Sequence, residues 1–199
     1  RALESSLRQS LEPLLAGTTP EQSDRFQECF EILMGRKRPQ LPKPGFLYFP
    51  GLPAIDFYPR EMFPWAAALE ARTDQIRDEL LALLQEDEER FIPYVQKNLP
   101  QGTAASPWAP LNHSTNWGVY FLHNQGEPVE RNLARCPATA QALSAVPLVH
   151  IPGRGPSVFF SRLKPGAHIP AHHGATNTRL VAHLPLVVPP NCGLRGGNR

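Results

Sequence analysis

Apolar positions along this chain change their period twice, and each change marks a different kind of element. Leu3, Leu7, Leu11 and Leu14 recur at helical spacing, with Pro13 placed to bend or end that helix. Thr19-Pro20-Glu21-Gln22 is a helix start. Thr19 caps, Pro20 suits the first helical position, and Gln22 reaches back to close a capping box. Phe26, Cys29, Phe30 and Leu33 then form one apolar stripe, and Gly35 ends the helix. The two helices read as an antiparallel hairpin that covers a sheet, with a fused partner-binding module as the alternative. From Trp65 onward, Leu69, Ile76, Leu80, Leu83 and Leu84 fall on one face of a third helix, and an acidic surface follows over 86–89.

Period two takes over in the second half. Asn116 to His123 alternates as a strand, as do Val158 to Leu163 and Arg179 to Val188. Pro137 to Leu143 is a short helix with proline in its first turn. Between these patterns lie a proline-rich aromatic stretch over 37–64, read as extended chain laid over a core, and a long loop over 99–114. Helices first and strands second predict an α+β fold with the N-terminal helices packed on one face of the sheet. The expected division is a helix pair over 1–36 and one domain over 37–199.

Composition narrows this only a little. At 199 residues with 41% hydrophobic and 19% charged positions, the chain is that of a globular protein able to bury a core. A net charge of +2 gives no nucleic-acid footprint, and Arg36-Lys37-Arg38 is short enough to be a solvated turn. No apolar run reaches the ~18 residues of a membrane helix. Three widely spaced cysteines, Cys29, Cys136 and Cys192, fit reduced thiols in a cytoplasmic setting and make no CxxC pair. The 23 prolines favour ordered loops and short strands.

Candidate chemistry concentrates between Ser161 and Cys192, which holds His168, His172, His173 and His183 among short β-type runs broken by proline and glycine. Read from the residues alone, His172 is either a metal ligand or a hydrogen-bonded loop histidine. His173, its neighbour, points the other way on an extended chain. His168 reads as part of a turn. Taken by themselves, Ser161 reads as a strand end and Trp117 as core filling. His183 stands out because an imidazole in an apolar strand needs polar partners. Arg179, taken by itself, is a surface cation.

The order Pro165-Gly166, then His172-x-Gly-x-Thr-Asn177, then Arg179, then His183-Leu-x-Leu-x-x-Pro189 resembles the aspartyl/asparaginyl β-hydroxylase family. That resemblance implies a double-stranded β-helix (jelly-roll) core and an Fe(II)- and 2-oxoglutarate-dependent dioxygenase. The substrate would be a peptide or small molecule with an Asp- or Asn-like group. A related branch that hydroxylates lipid acyl chains is less suited to a chain without membrane segments. By the resemblance His172 is the proximal iron ligand. Gly174 takes the position where other non-haem iron enzymes carry a carboxylate, as is usual in this family. Ser161, His183 and Trp117 are carried over as 2-oxoglutarate contacts, and Arg179 as the residue facing the substrate carboxylate.

Two departures matter. Val181 stands where animal members carry an arginine. The family's second iron histidine, in an Asp-Asp-x-x-x-His context, and the arginine that follows it are not found. Cys192-Gly193-Leu194-Arg195 matches the strand that precedes them, so the expected domain is C-terminally incomplete and weak or inactive as a 199-residue chain. Two alternatives stay open. One is a non-catalytic relative that binds a peptide or acidic ligand through Arg179 and the aromatic stretch. The other is a zinc hydrolase built on His168, His172 and His183.

Overall fold

A computed structural model describes residues 2–39, 41–55, 57–86, 88–98 and 106–197. The expected loop over 99–114 and the acidic run over 86–89 therefore fall partly outside the described residues. The chain divides into two compact units, one of residues 1–42 and 195–199 and the other of residues 43–194.

The first unit holds α1 (Ala2–Leu15) and α2 (Pro20–Leu33). Pro13 does not end α1, which runs two residues further before Gly17 takes φ 101°. A proline in the last turn removes one donor and leaves the turn otherwise intact. The start of α2 is the expected capping box: Thr19 Oγ1 accepts from the Gln22 amide at 3.3 Å, and Gln22 Oε1 accepts from the Thr19 amide at 3.0 Å. Gly35, at φ 72°, follows its last turn.

The expected apolar stripe of α2 is a different matter. Only Phe30 is buried, while Phe26, Cys29 and Leu33 are exposed. Leu3 and Leu14 of the α1 stripe lie outside the described side chains. Charge links the helices instead. Arg8 reaches Glu31 at 3.3 Å and lies 4.8 Å from the Phe30 ring, and Arg36 pairs with Glu4 at 2.5 Å and Glu31 at 3.2 Å. The hydrogen bond from Arg36 is the main reason the Glu4 carboxyl sits below its ordinary value.

In the second unit the expected long helix is two, α3 (Ala66–Glu70) and α4 (Thr73–Glu86). Thr73 Oγ1 donates to the Glu70 carbonyl at 2.6 Å and takes an acceptor that a continuous helix would give to a later amide. Strand β1 (Ile92–Pro93), β2 (Trp117–Asn124), β3 (Glu127–Pro128) and β4 (Val158–Leu163) make one antiparallel sheet with β2 in the centre. β4 pairs with β2 along its length, Trp117 opposite Leu163 and Val119 opposite Ser161, with an irregularity between Phe121 and His123. β1 and β3 share the other edge of β2 at its two ends. The β2–β3 hairpin turns at Gln125 (φ 52°) and Gly126 (φ 100°), two left-handed residues as a twisted two-residue turn requires.

Two short helices follow β3, α5 (Glu130–Leu133) and α6 (Pro137–Leu143). The main core packs Ile76, Leu80 and Leu83 of α4 and Ala142 of α6 against Tyr120, Leu122, Phe91 and Phe160. Glu79 joins α4 to α6 by accepting from the Ala138 amide (2.7 Å), the Thr139 amide (2.9 Å) and Thr139 Oγ1 (2.6 Å). A smaller core of Val95, Leu111 and Trp117, with Trp108, Ala167 and Ile169 against it, lies apart from the first.

This is an α+β architecture, as expected. The double-stranded β-helix goes beyond the one four-stranded sheet of the described residues. The expected strand Arg179–Val188 is a correction: it joins no ladder among the described residues. Its alternation survives without one, since Leu184 and Leu186 pack against the main core and the Leu186 carbonyl accepts from Arg77 Nε at 2.7 Å. No described helix is long and apolar enough to cross a membrane.

Candidate functional site

The smaller core is the floor of the candidate site. Trp117 opens β2 and is 7% exposed, so its indole N–H needs a partner within the protein. Ser161, on β4, supplies it: Trp117 Nε1 donates to Ser161 Oγ at 2.9 Å. The register brings this about, because Ser161 lies opposite Val119, two residues from Trp117 and on the same face. Ser161 itself is exposed, so its hydroxyl is oriented at one side and open at the other.

Trp108, at the start of the single turn Ala109–Leu111, extends the patch. Its ring is parallel to Trp117 within 19° at 6.3 Å and meets the His172 imidazole edge-on at 5.2 Å. The Tyr94 ring also packs on Trp117, its centroid 4.3 Å away. His172 Nδ1 lies 2.8 Å from the Pro170 carbonyl. A carbonyl only accepts, so this contact places a ring proton on Nδ1, and in the neutral ring the Nε2 lone pair is then the one available. Metal-binding histidines are oriented in that way. His172, Trp108, Trp117 and Ser161 thus form one connected surface.

The other expected residues stand apart from it. His183 is exposed and makes no hydrogen bond among the described residues. The buried imidazole inferred from its apolar neighbours is therefore not found: Leu184 and Leu186 turn inward and His183 turns out. His168 is exposed between Ala167 and Ile169, which face the smaller core. His173 is exposed as well. Among the described residues no three His, Cys, Asp or Glu side chains converge on a point that could hold a metal. The fit to iron is thus one well-oriented imidazole without a complete donor set. The zinc geometry of His168, His172 and His183 is not formed either.

Arg179 lies next to a second feature. Its Nη1 donates to the Arg154 carbonyl at 3.2 Å, and it lines a shallow pocket of about 180 Å³ with Thr178 and Leu180 on one wall and Leu52, Pro53 and Tyr58 on the other. The second wall comes from the aromatic stretch, which the sequence reading laid over a core. Phe46, Tyr48 and Phe49 are instead more than half exposed. The segment is fastened by its backbone: Gly45 N donates to Gly174 O, and Phe46 N and Leu47 N both donate to Ala175 O. Neither Trp108 nor the 45–49 attachment was singled out from the sequence. A tryptophan in a polar, proline-rich loop was the one available signal for the former.

A family model described as Aspartyl/Asparaginyl beta-hydroxylase matches residues 70–199. Aspartate beta-hydroxylase domain-containing protein 2 of Xenopus tropicalis is 30% identical over 161 residues, 79% of this chain and 40% of that protein. The protein of the same name from Homo sapiens gives the same identity and coverage. Ornithine lipid ester-linked acyl 2-hydroxylase of Rhizobium tropici is 33% identical over 132 residues, 66% of this chain and 42% of that protein. The chain spans about two fifths of the length of these relatives. The match covers the sheet, α4 and the whole Trp117–Ser161–His172 surface, and the chain belongs to the aspartyl/asparaginyl β-hydroxylase family.

Proposed function

We propose that the protein is a hydroxylase that depends on Fe(II) and 2-oxoglutarate, built on a double-stranded β-helix to which the four-stranded sheet contributes. Its substrate in this reading carries an Asp- or Asn-like group, in a peptide or a small molecule. The observation that carries the reading is the Trp117–Ser161 hydrogen bond, joined through Trp108 to a histidine with a free Nε2. Two residues expected to bind 2-oxoglutarate are thereby coupled to the one expected to bind iron.

The roles divide accordingly. Ser161 Oγ, held by the indole, presents hydrogen-bonding capacity to a carboxylate. The stacked tryptophans keep that side of the surface dry. His172 offers one imidazole donor, and Arg179 offers a guanidinium to the substrate carboxylate. His183 is retained as a cosubstrate residue in this proposal on the family resemblance alone. His172 is the one imidazole of this surface among the described residues.

The test is isothermal titration of 2-oxoglutarate into the protein and into Trp117→Phe and Ser161→Ala. The proposal predicts binding that weakens about tenfold in either variant, the effect of one lost hydrogen bond to a charged group. Equal affinity in all three proteins would contradict it. A second reading rests on the Arg179 pocket: a non-catalytic member that binds an acidic peptide group. Retained binding of an acidic peptide without any 2-oxoglutarate binding would favour it.

A further inference from the structure

The family motif around His172 contains Asn177, for which neither metal nor cosubstrate binding supplies a role. Its side chain makes two hydrogen bonds across 128 residues of sequence. Oδ1 accepts from the Phe49 amide at 2.7 Å, and Nδ2 donates to the Phe49 carbonyl at 2.8 Å. One residue presents one donor and one acceptor, so the orientation of the amide is determined by the pair. Leu47 forms a parallel bridge with Thr176 just before this point. The Asn177 side chain therefore continues, by one rung, a backbone ladder too short to hold on its own. Thr176 prepares the loop for it: its Oγ1 accepts from the Thr178 amide at 3.2 Å and lies 2.9 Å from Thr178 Oγ1.

Of the five hydrogen bonds that fasten Gly45–Phe49 to residues 174–177, two are made by this one side chain. Leu52, Pro53 and Tyr58 follow Phe49 in the chain, and Asn177 itself lines the pocket together with Thr178, Arg179 and Leu180. These are the two walls of the pocket. Tyr58 is folded back onto the first wall by its hydroxyl, which donates to the Pro53 carbonyl at 3.1 Å. The Phe46 ring is held against the Arg154 guanidinium at 4.6 Å, and Arg154 O accepts from Arg179.

We propose that Asn177 is a positioning residue that clamps the 45–58 strap to the His172–Arg179 loop, so that the strap forms the apolar wall of the substrate pocket. The ligand that suits this pocket has an acidic group for Arg179 and an apolar neighbour for Leu52, Pro53 and Tyr58. An aspartyl peptide with an aliphatic residue beside the aspartate has that chemistry. The proposal rests on the reading of the 172–179 loop as the site.

The test is amide hydrogen exchange on the full chain, with Asn177→Ala and Asn177→Asp, each with and without the peptide acetyl-Ala-Asp-Leu-amide as probe. Asn177→Ala should speed exchange at Phe49 at least tenfold while β2 amides stay protected. Asn177→Asp, which keeps the acceptor for the Phe49 amide but sets a second acceptor against the Phe49 carbonyl, should speed exchange there as well. The probe should slow exchange on both walls in the parent protein, and not at 49–58 in Asn177→Ala or Asn177→Asp. Unchanged exchange at Phe49 in Asn177→Ala would overturn the clamp. If that variant loses β2 protection as well, Asn177→Asp decides: unchanged exchange at Phe49 there with β2 intact would overturn it too. None of these readings depends on iron or 2-oxoglutarate, so the clamp and the dioxygenase reading fail separately.

Discussion

Two side chains, Trp117 and Cys136, illustrate how burial decides chemistry at the scale of single residues. The Trp117 indole is nearly enclosed and has one partner, Ser161. Ser161→Ala leaves that N–H unpaired, which costs about 1–3 kcal/mol. A urea melt should show a loss of that size, with an unchanged slope. A loss below a few tenths would mean that water reaches the indole. Cys136 is fully buried, and desolvation, helped by Glu79, pushes its thiol up to about 11 from an ordinary 9.0. The folded state thus holds the proton more tightly than the unfolded one. Stability that is complete below pH 9 falls as pH rises toward 11. Alkylation of the native protein at mild alkaline pH should label the exposed Cys29 and Cys192 and spare Cys136. Modification of all three at equal rates would contradict the buried, protonated thiol.

Elements are set here as often by polar contacts as by apolar stripes. The α1–α2 pair is the clearest case. A period-3.6 pattern correctly announced both helices, but charges around Glu4, Arg8, Glu31 and Arg36 link them, with Phe30 the one buried member of the α2 stripe. Because the Glu4 carboxyl is held below its ordinary 4.5, the contribution of its pair is present above that pH and is lost as pH falls through the lowered value. Thermal melts followed at α2 resonances should therefore shift down on acidification, and in high salt at neutral pH. Melts indifferent to both would show the pairs to be ornamental. The Arg179–Val188 segment makes the complementary point. Its inward Leu184 and Leu186 were legible from alternation, while its lack of a ladder was not, since hydrogen-bond partners are a property of other segments.

For the whole molecule, the sequence revealed the α+β order, the strands β2 and β4, the short helix α6 and the family motif. Local patterns carry that information directly. Contacts between distant segments were hidden. Examples are the Glu79 carboxylate at the start of α6, the Trp108 ring between Trp117 and His172, and the strap at Asn177. The exposure of His183 was hidden for the same reason: an apolar neighbourhood in sequence did not make a buried position in space. Of the five expected site residues, His172, Trp117 and Ser161 fall on one surface, and Arg179 lines a separate pocket beside it.

The central claim is that this surface is a single metal and cosubstrate site. It is tested most directly by NMR of the tryptophan indole and histidine imidazole signals during titration with Mn(II), a paramagnetic stand-in for Fe(II), and then with 2-oxoglutarate. The account predicts that Mn(II) broadens His172 and the Trp108 indole first, that 2-oxoglutarate shifts the Trp117 indole N–H, and that His172→Ala abolishes the broadening while the Trp117–Ser161 signal remains. Broadening centred elsewhere and unaltered in His172→Ala, with no shift at Trp117, would contradict it.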